Sequence, residues 1–380
     1  MMVIIKLGKL IMKIKYTYLF IIVSIIGMLC NNALLQSQDN IQALYSAITK
    51  NDIDELKSLL AKGINPNISD NFTKSALTHA ASRNNLEAVE LLLHYGANIN
   101  YKTKNNGLTA LMYAVGNNNV QMIKLLLSKG IDPNIPENYG NSPLTYAAWK
   151  KNLEAVELLL KHGANINYKT KDRGLTALMG ATESNNVPMF KLLLSNGADI
   201  HAQDKEGFTA LIHAAKQGCI EILSLLLSNG ADINKQGKNG STALICAVDY
   251  NHINIVEELL LHGANVNKQS HNGYTPLMLS DNAQICLALI ANGASINIQN
   301  NEGKTALHFA AKNNNKDKIM ILLDHDADVN LKDKRGQTAL DLALFLTPNL
   351  KLEETWLNEE IIENEKLIEL LQHNQTSVKN

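Results

Sequence analysis

Four cysteines, eleven histidines and 36 Asp and Glu residues are the side chains of this chain that could ligate a metal, attack a carbonyl or move a proton. Their spacing does not organise them for any of these tasks. Cys30, Cys219, Cys246 and Cys286 form no CxxC pair, and no Cys/His group has the short separations that zinc requires. The phosphate-cradling Gly-x4-Gly-Lys-Ser/Thr loop, the metal-binding His-Glu-x2-His pair and the Gly-x-Ser-x-Gly nucleophile turn do not occur. Catalytic residues, metals and cofactors are therefore expected to be none, and the chain is not expected to be an enzyme. His94, His162 and His262 close apolar helical segments, where an imidazole is mildly favourable without any ligand. The three later cysteines fall inside such segments and read as small buried apolar side chains.

What remains is binding, and the bulk composition narrows its kind. The 380 residues carry 35 Lys and Arg against 36 Asp and Glu, a formal net charge of -1. Nucleic-acid binders show a basic excess or stripe, so no nucleic-acid partner is expected. Hydrophobic residues make up 46% but aromatic ones only 5%, so the core must be built from Leu, Ile and Ala, which suits small helices better than a sandwich or barrel.

The elements that position these side chains repeat. Leu-Leu-Leu followed by Gly-Ala-Asn-Ile-Asn occurs at Leu91–Asn100 and, with one spacer change, at Leu158–Asn167; related forms end at Asn67, Asn134, His201, Asn234, Asn267, Asn297 and Asn330. Successive ends lie 33 or 34 residues apart, with one interval of 30. A fixed period in this range marks an array of identical supersecondary units. A Gly-x-Thr-Ala-Leu block opens most units, as at Gly107–Leu111, Gly174–Leu178, Gly207–Leu211, Gly303–Leu307 and Gly336–Leu340. Its Thr is placed to cap a first helix, and Ala or Pro (Pro143, Pro276) follows at the first helical position. Leu211, Ala214 and Ala215, then Ile222, Leu225, Leu226 and Leu227, follow helical spacing across two short helices. Between the helices stands a residue suited to the left-handed conformation: Asn51, Asn84, Asn118, Asn185, Asn251 and Asn314, or Gly218. Turn residues such as Asp204-Lys205-Glu206-Gly207 predict a β-turn or hairpin finger after each second helix.

On these residues the chain resembles the ankyrin-repeat family over 40–343, in about ten units of which the first and last are degenerate. The resemblance implies an all-α solenoid with short β-turn or hairpin fingers, and a function in protein–protein recognition. It also implies where a partner sits: on the fingers and on the concave face made by the first helices. Carried over position by position, the concave candidates are His79, Arg83, Tyr113, Tyr146, Trp149, Lys150, His213, Lys216, Tyr250, Phe309 and Lys312. The fingers offer Tyr101, Lys102, Lys104, Tyr168, Lys169, Lys171, Lys235, Lys238, Lys332 and Lys334. Aromatic and Arg side chains dominate interface hot spots; packing between neighbouring helices is the competing role for the same residues. The motif's histidine survives only at His308, its equivalents being Thr78, Met112, Thr145, Met179, Ile212, Ile245, Met278 and Asp341. The bonds between turns that this histidine makes in the family are expected to be mostly missing, leaving the array less rigid.

Two irregularities carry expectations of their own. Residues 86–130 and 153–197 match at an offset of 67, which reads as duplication of a repeat pair. The interval of 30 residues from Gly263 to Gly293 loses its residues within Leu279–Gln284, and Asp326 stands where the following unit should have Gly. A weak joint is expected there, because solenoid stability sums local units and their neighbour interfaces.

The ends differ from the array. In 1–36, Lys6, Lys9, Lys13 and Lys15 precede an apolar run from Tyr16 to Cys30, which reads as a signal peptide or an N-terminal signal anchor. Met12 opens a neater signal than Met1. Neither Asn31-Asn32-Ala33 nor Leu35-Gln36-Ser37 is a clean cleavage site, and Leu29 departs from the small residue a lipoprotein box needs before Cys30. Two localisations follow: export, or display on a membrane whose only contact is residues 16–30. Of residues 344–380, 344–372 hold an acidic amphipathic stretch containing Leu352, Trp356, Leu357, Ile361 and Leu371, expected to cap the array, with a docking helix for a partner as the alternative, and 373–380 are a polar tail. A monomer and an unknown protein partner are expected; the weaker alternative, an enzyme, would need an active site built on the solenoid itself. The Asn-, Ile- and Lys-rich usage fits an AT-rich genome, compatible with the exported ankyrin proteins that intracellular bacteria direct at host factors.

Overall fold

The computed structural model of the protein describes residues 38–69, 74–346 and 369–372. The N-terminal segment 1–36 and most of 344–380 lie outside the described residues, and so do the expectations attached to them. Within 369–372 the chain is helical and Leu371 is buried. Among the described residues no helix is long and apolar enough to cross a membrane, and the only bridge between extended segments is the isolated pair Ser69–Ser75. The chain divides into two compact units, Met1–Ala164 and Asn165–Asn380.

The first unit contains α1 (38–50), α2 (Ile53–Ala61), α3 (Ala76–Ser82), α4 (Leu86–His94), α5 (Ala110–Gly116), α6 (Val120–Ser128), α7 (Pro143–Trp149) and α8 (Leu153–Lys161). The second contains α9 (Ala177–Glu183), α10 (Val187–Ser195), α11 (Ala210–Gln217), α12 (Ile220–Ser228), α13 (Ala243–Asp249), α14 (Ile253–Leu261), α15 (Pro276–Leu279), α16 (Ala283–Ala291), α17 (Ala306–Lys312), α18 (Lys316–Leu323) and α19 (Ala339–Leu346). In each unit first helices pack on first helices, as α3 on α5 and α11 on α13, and second helices on second helices, as α6 on α8 and α14 on α16. This is the predicted all-α repeat solenoid, with turns rather than strands in its fingers.

The stacking follows from side-chain size. Five residues past each first-helix cap stands a small residue with almost no exposure: Ala80, Ala114, Ala147, Ala181, Ala214, Ala247 and Ala310. Small side chains let neighbouring helices approach closely. Leu77, Leu111, Leu144, Leu178, Leu211, Leu244, Leu277 and Leu307 fill the layer between helix pairs, each buried leucine contributing about 1.5–3 kcal/mol.

Side-chain caps mark where most of the described helices start, α12 and α14 starting without one. Thr109, Thr176, Thr209 and Thr242 each accept a hydrogen bond from the backbone N–H three residues on, as predicted. The second helices are capped too: Asp52, Asn85, Asn119, Asn152, Asn186 and Asn315 accept in the same way. The predicted left-handed residues Asn51, Asn84, Asn118, Asn185, Asn251 and Asn314 have φ between 46° and 60°, and Lys151 joins them at 58°. Successive fingers are tied by single backbone bonds, such as Asn138 N–H to Asn106 O in the first unit and Lys238 N–H to Glu206 O in the second.

Loss of the family histidine is partly offset. His308 does bridge to the next finger, donating from Nε2 to Gln337 O at 3.1 Å while its Nδ1 meets the Thr305 cap. At the equivalent position Asp341 accepts from Thr338 N–H and Oγ1, both at 2.8 Å. The link between repeats is carried instead by the closing asparagine of several units. Asn67, Asn267 and Asn297 each donate from Nδ2 to a carbonyl of the next repeat and accept a backbone N–H there.

The short unit is built as expected at its break and differently beside it. Helix α15 is one turn long, and Ser280 stands where the other repeats have the small buried Ala. The room left by the missing residues is filled by Lys318 of α18, which is fully buried and donates from Nζ to Met278 O at 3.1 Å. Its counterparts from α4 to α16 are Ala88, Met122, Ala155, Met189, Ile222, Ile255 and Ile285, all buried and apolar. Burial pushes the Lys318 ammonium below its ordinary value, against the attraction of neighbouring Cys286 and Asp281. Asn315 adds a bond from Nδ2 to Asp281 O at 2.7 Å. Asp326 adopts φ 62°, the conformation glycine holds elsewhere.

Candidate protein-binding surface

The predicted contact residues fall on two registers of the first helices. His79, Tyr113, Tyr146, His213 and Phe309 each stand four residues past the cap Ser75, Thr109, Ser142, Thr209 or Thr305. Trp149, Lys216 and Lys312 stand seven past their caps, and Arg83, Lys150 and Tyr250 eight past. Helical spacing puts both registers on one face of each helix.

In the first unit this face is aromatic and open. Trp149 is 71% exposed at the end of α7 and stacks on Tyr146 with ring centroids 5.9 Å apart. The Lys150 ammonium lies over both rings, 4.6 Å from Trp149 and 5.6 Å from Tyr146, a placement worth about 0.5–1 kcal/mol at an exposed site. The finger before α7 raises Tyr139, 75% exposed, on the other side of a cleft of about 370 Å³. Leu108, Asn106 and Asn141 complete its lining with Glu137. The Glu137 carboxylate is turned inward and occupied, accepting from the backbone N–H groups of Tyr139 and Asn141 and from Asn141 Nδ2. The cleft therefore offers ring faces and a cation, with no free carboxylate. Nearer the N-terminus His79 packs edge-on against Tyr45 at 5.2 Å and meets Thr49 Oγ1, Lys74 covers the Tyr113 ring, and Arg83 is exposed.

In the second unit the same registers divide between structure and surface. His213 is 2% exposed, which corrects its assignment to the open face. Its Nε2 lies 2.9 Å from Asp204 Oδ2 and its Nδ1 3.2 Å from Glu183 Oε1, while Phe208 closes edge-on over the ring. Arg173 grips the same Glu183 with two bonds of 3.0 and 2.5 Å. Burial alone would raise the Glu183 carboxyl, but hydrogen bonds from His213 and Arg173 and their charges overcome it and hold it at about 2. The network clamps two fingers to α9 and α11. Lys216 lies over the Tyr250 ring at 5.4 Å, and Tyr250 is 49% exposed. Phe309 meets Tyr274 at 5.4 Å, beside the exposed Lys312.

Among the described residues no group of three or more His, Cys, Asp or Glu side chains is placed to hold a metal ion. The thiols of Cys219, Cys246 and Cys286 are buried and raised by that burial, Cys246 to about 11, so they are poor nucleophiles.

The repeat pattern is matched by the family description "Ankyrin repeats (3 copies)" over residues 11–103, 100–170, 168–237, 225–283 and 279–351. The chain belongs to the ankyrin-repeat family. An ankyrin repeat protein of Acanthamoeba polyphaga mimivirus is 47% identical over 55 residues, which is 14% of this chain and 13% of that relative. Ankyrin repeats are typically a non-enzymatic scaffold for protein–protein interaction.

Sequence reasoning missed the finger residues Tyr139 and Tyr274, which complete the aromatic clusters. The signal was present: both are aromatic residues in finger turns of a chain that has few. It also missed the caps of the second helices and the bridging role of the closing asparagines, although those asparagines defined the repeat.

Proposed function

We propose that this ankyrin array is a recognition module for a protein partner, bound through its first-helix face and fingers, and that it works outside the compartment where it is made. The observation that carries the recognition reading is the cleft bounded by Tyr139, Tyr146 and Trp149. Two aromatic side chains more than 70% exposed on one small surface are the composition of an interface hot spot. The export reading is supported by the lysine-led apolar run Tyr16–Cys30. The sequence alternative is an uncleaved anchor that displays the array on a membrane.

A photo-crosslinking residue placed at Trp149, in the native source, tests recognition against the same residue placed at Leu261, an exposed position (80%) on second helix α14. A discrete adduct at 149 and none at 261 is expected; equal labelling at both sites would count against the face. Intact mass and fractionation test export. A soluble product beginning between Asn31 and Asn40 outside the cytoplasm is expected, whereas a full-length product in the membrane pellet would replace export with anchoring.

A further inference from the structure

The cleft beside Trp149 is built from four addresses in its repeat, and a repeat of the second unit builds a cavity from the same four. Three and one residues before the cap Ser142 stand Tyr139 and Asn141; four and seven residues after it stand Tyr146 and Trp149. Around the cap Thr305 these addresses hold Glu302, Lys304, Phe309 and Lys312, which line a cavity of about 600 Å³. The preceding finger adds Tyr274, whose ring meets Phe309 at 5.4 Å, and the following finger adds Arg335. An aromatic face is kept at the address of Tyr146, while a cation takes the address of Trp149.

The charges lining this cavity do not balance. Lys304 Nζ bonds Glu302 Oε2 at 2.7 Å, so that pair is neutral. This bond and the charges of Lys304, Arg335 and Lys312 hold the Glu302 carboxyl below its usual range. Lys312 and Arg335 are exposed, and neither makes an ion pair among the described residues. Arg173 shows what satisfies an arginine at this finger address. It stands three residues before the cap Thr176 and is gripped by Glu183, seven residues after that cap. Arg335 stands three before Thr338, the hydroxyl that accepts Asp341 N–H, and seven after Thr338 the sequence has Phe345. Asp333 of the same finger is buried, is absent from the cavity lining, and accepts the backbone N–H groups of Arg335 and Gln337. Two positive charges therefore stand at one cavity without an anion, next to two aromatic rings.

Coulomb attraction grows with the charge of the ligand, so two exposed cations favour a dianion over a monoanion. Guanidinium matches phosphate geometry with two parallel bonds, and lysine adds a point charge. A phosphate monoester carries about -1.5 to -2 charges at pH 7, close to the surplus on the cavity. The rings select what bears the phosphate, because a flat aryl group packs on Phe309 and Tyr274 where a short aliphatic one does not reach. We propose that this cavity is a phosphotyrosine subsite on the partner-binding face: Arg335 and Lys312 take the phosphate dianion of a protein partner, and its phenyl ring lies against Phe309 and Tyr274. The proposal rests on the recognition reading above and adds the chemistry of the segment recognised.

Four probes separate the features: the N-acetyl amides of phosphotyrosine, of sulfotyrosine (same shape, one charge) and of phosphoserine (same dianion, no ring), and adenosine monophosphate. Each is titrated calorimetrically into the full-length chain at pH 7.5. The chain has three arginines, Arg83, Arg173 and Arg335, so 15N-arginine labelling gives three Nε signals and places the site. The Arg335 signal should move on binding, and that of Arg173, held by Glu183, should not. For a ligand of this size a Kd of about 0.1–1 mM is expected for phosphotyrosine, with the other three at least about fivefold weaker and the affinity falling as salt rises. Arg335→Gln and Lys312→Gln should each weaken phosphotyrosine at least about tenfold, and Arg335→Lys by less, because it keeps the charge. Lys238→Gln, at an exposed finger lysine of another repeat, should change nothing. Both lining cations are exposed, so the variants keep the fold, which circular dichroism checks. Equal binding of sulfotyrosine or phosphoserine, tighter binding of the nucleotide, or an unaltered Kd in both Gln variants would overturn the proposal. An adduct at Trp149 with no phosphotyrosine preference here would sink this subsite and leave the recognition reading standing; phosphotyrosine binding with equal labelling at 149 and 261 would do the opposite.

Discussion

Replacing Glu183 by Gln keeps the side chain's shape and removes the charge shared by Arg173 and His213. A carboxyl that ionises at about 2 in the folded chain and at its ordinary 4.5 in the unfolded one contributes roughly 3 kcal/mol at neutral pH, at about 1.4 kcal/mol for each pH step between the two values. Glu183 is 22% exposed, and solvent screening of that fraction brings the expected cost of Glu183→Gln to about 2 kcal/mol. The pH dependence has a definite sign. The folded value is depressed, so the contribution is complete above 4.5 and is lost as pH falls from 4.5 towards 2. Urea unfolding followed by circular dichroism, at pH 7 and at steps down to pH 2.5, reads this directly. With a slope of about 2 kcal/mol/M, the variant's midpoint should lie about 1 M lower at pH 7, and the gap should close across the acid window. A gap that stays constant from pH 7 to 2.5, or no gap at pH 7, would refute the account of the network.

Lys318→Ala removes the side chain that fills the space beside α15 and strips Met278 O of its donor, so a loss of about 2–5 kcal/mol is expected; hydrogen exchange should locate it within residues 263–330 rather than across the whole chain. Asp326→Gly relieves a left-handed backbone at φ 62° and should leave the chain about as stable or up to ~1 kcal/mol more so, measured by the same urea titration. Trp149→Ala should change stability by less than ~0.5 kcal/mol, because the ring is 71% exposed, while sharply reducing the adduct yield from a crosslinker moved to Tyr139.

The fold was legible because each repeat states its local chemistry in the chain: a Thr or Ser that caps, an Asn that turns left-handed, and an apolar layer at helical spacing. These are interactions among residues a few positions apart, and a single unit displays them. The surface was legible only as a register. Position four past the cap selects the residue that leans toward a preceding finger, but what it meets there is set by the residues of that finger. His213 and Phe309 have the same address in their repeats. One finds Asp204 and becomes a buried clamp; the other packs on Tyr274 and lines a cavity. Lys318 makes the same point from the core. Its own segment reads as an ordinary exposed lysine between Asp317 and Ile319, and its burial follows from a helix about forty residues earlier that is too short to occupy its place. In a solenoid the local code specifies the scaffold, and the pairings across one repeat boundary decide which positions are left open for a partner.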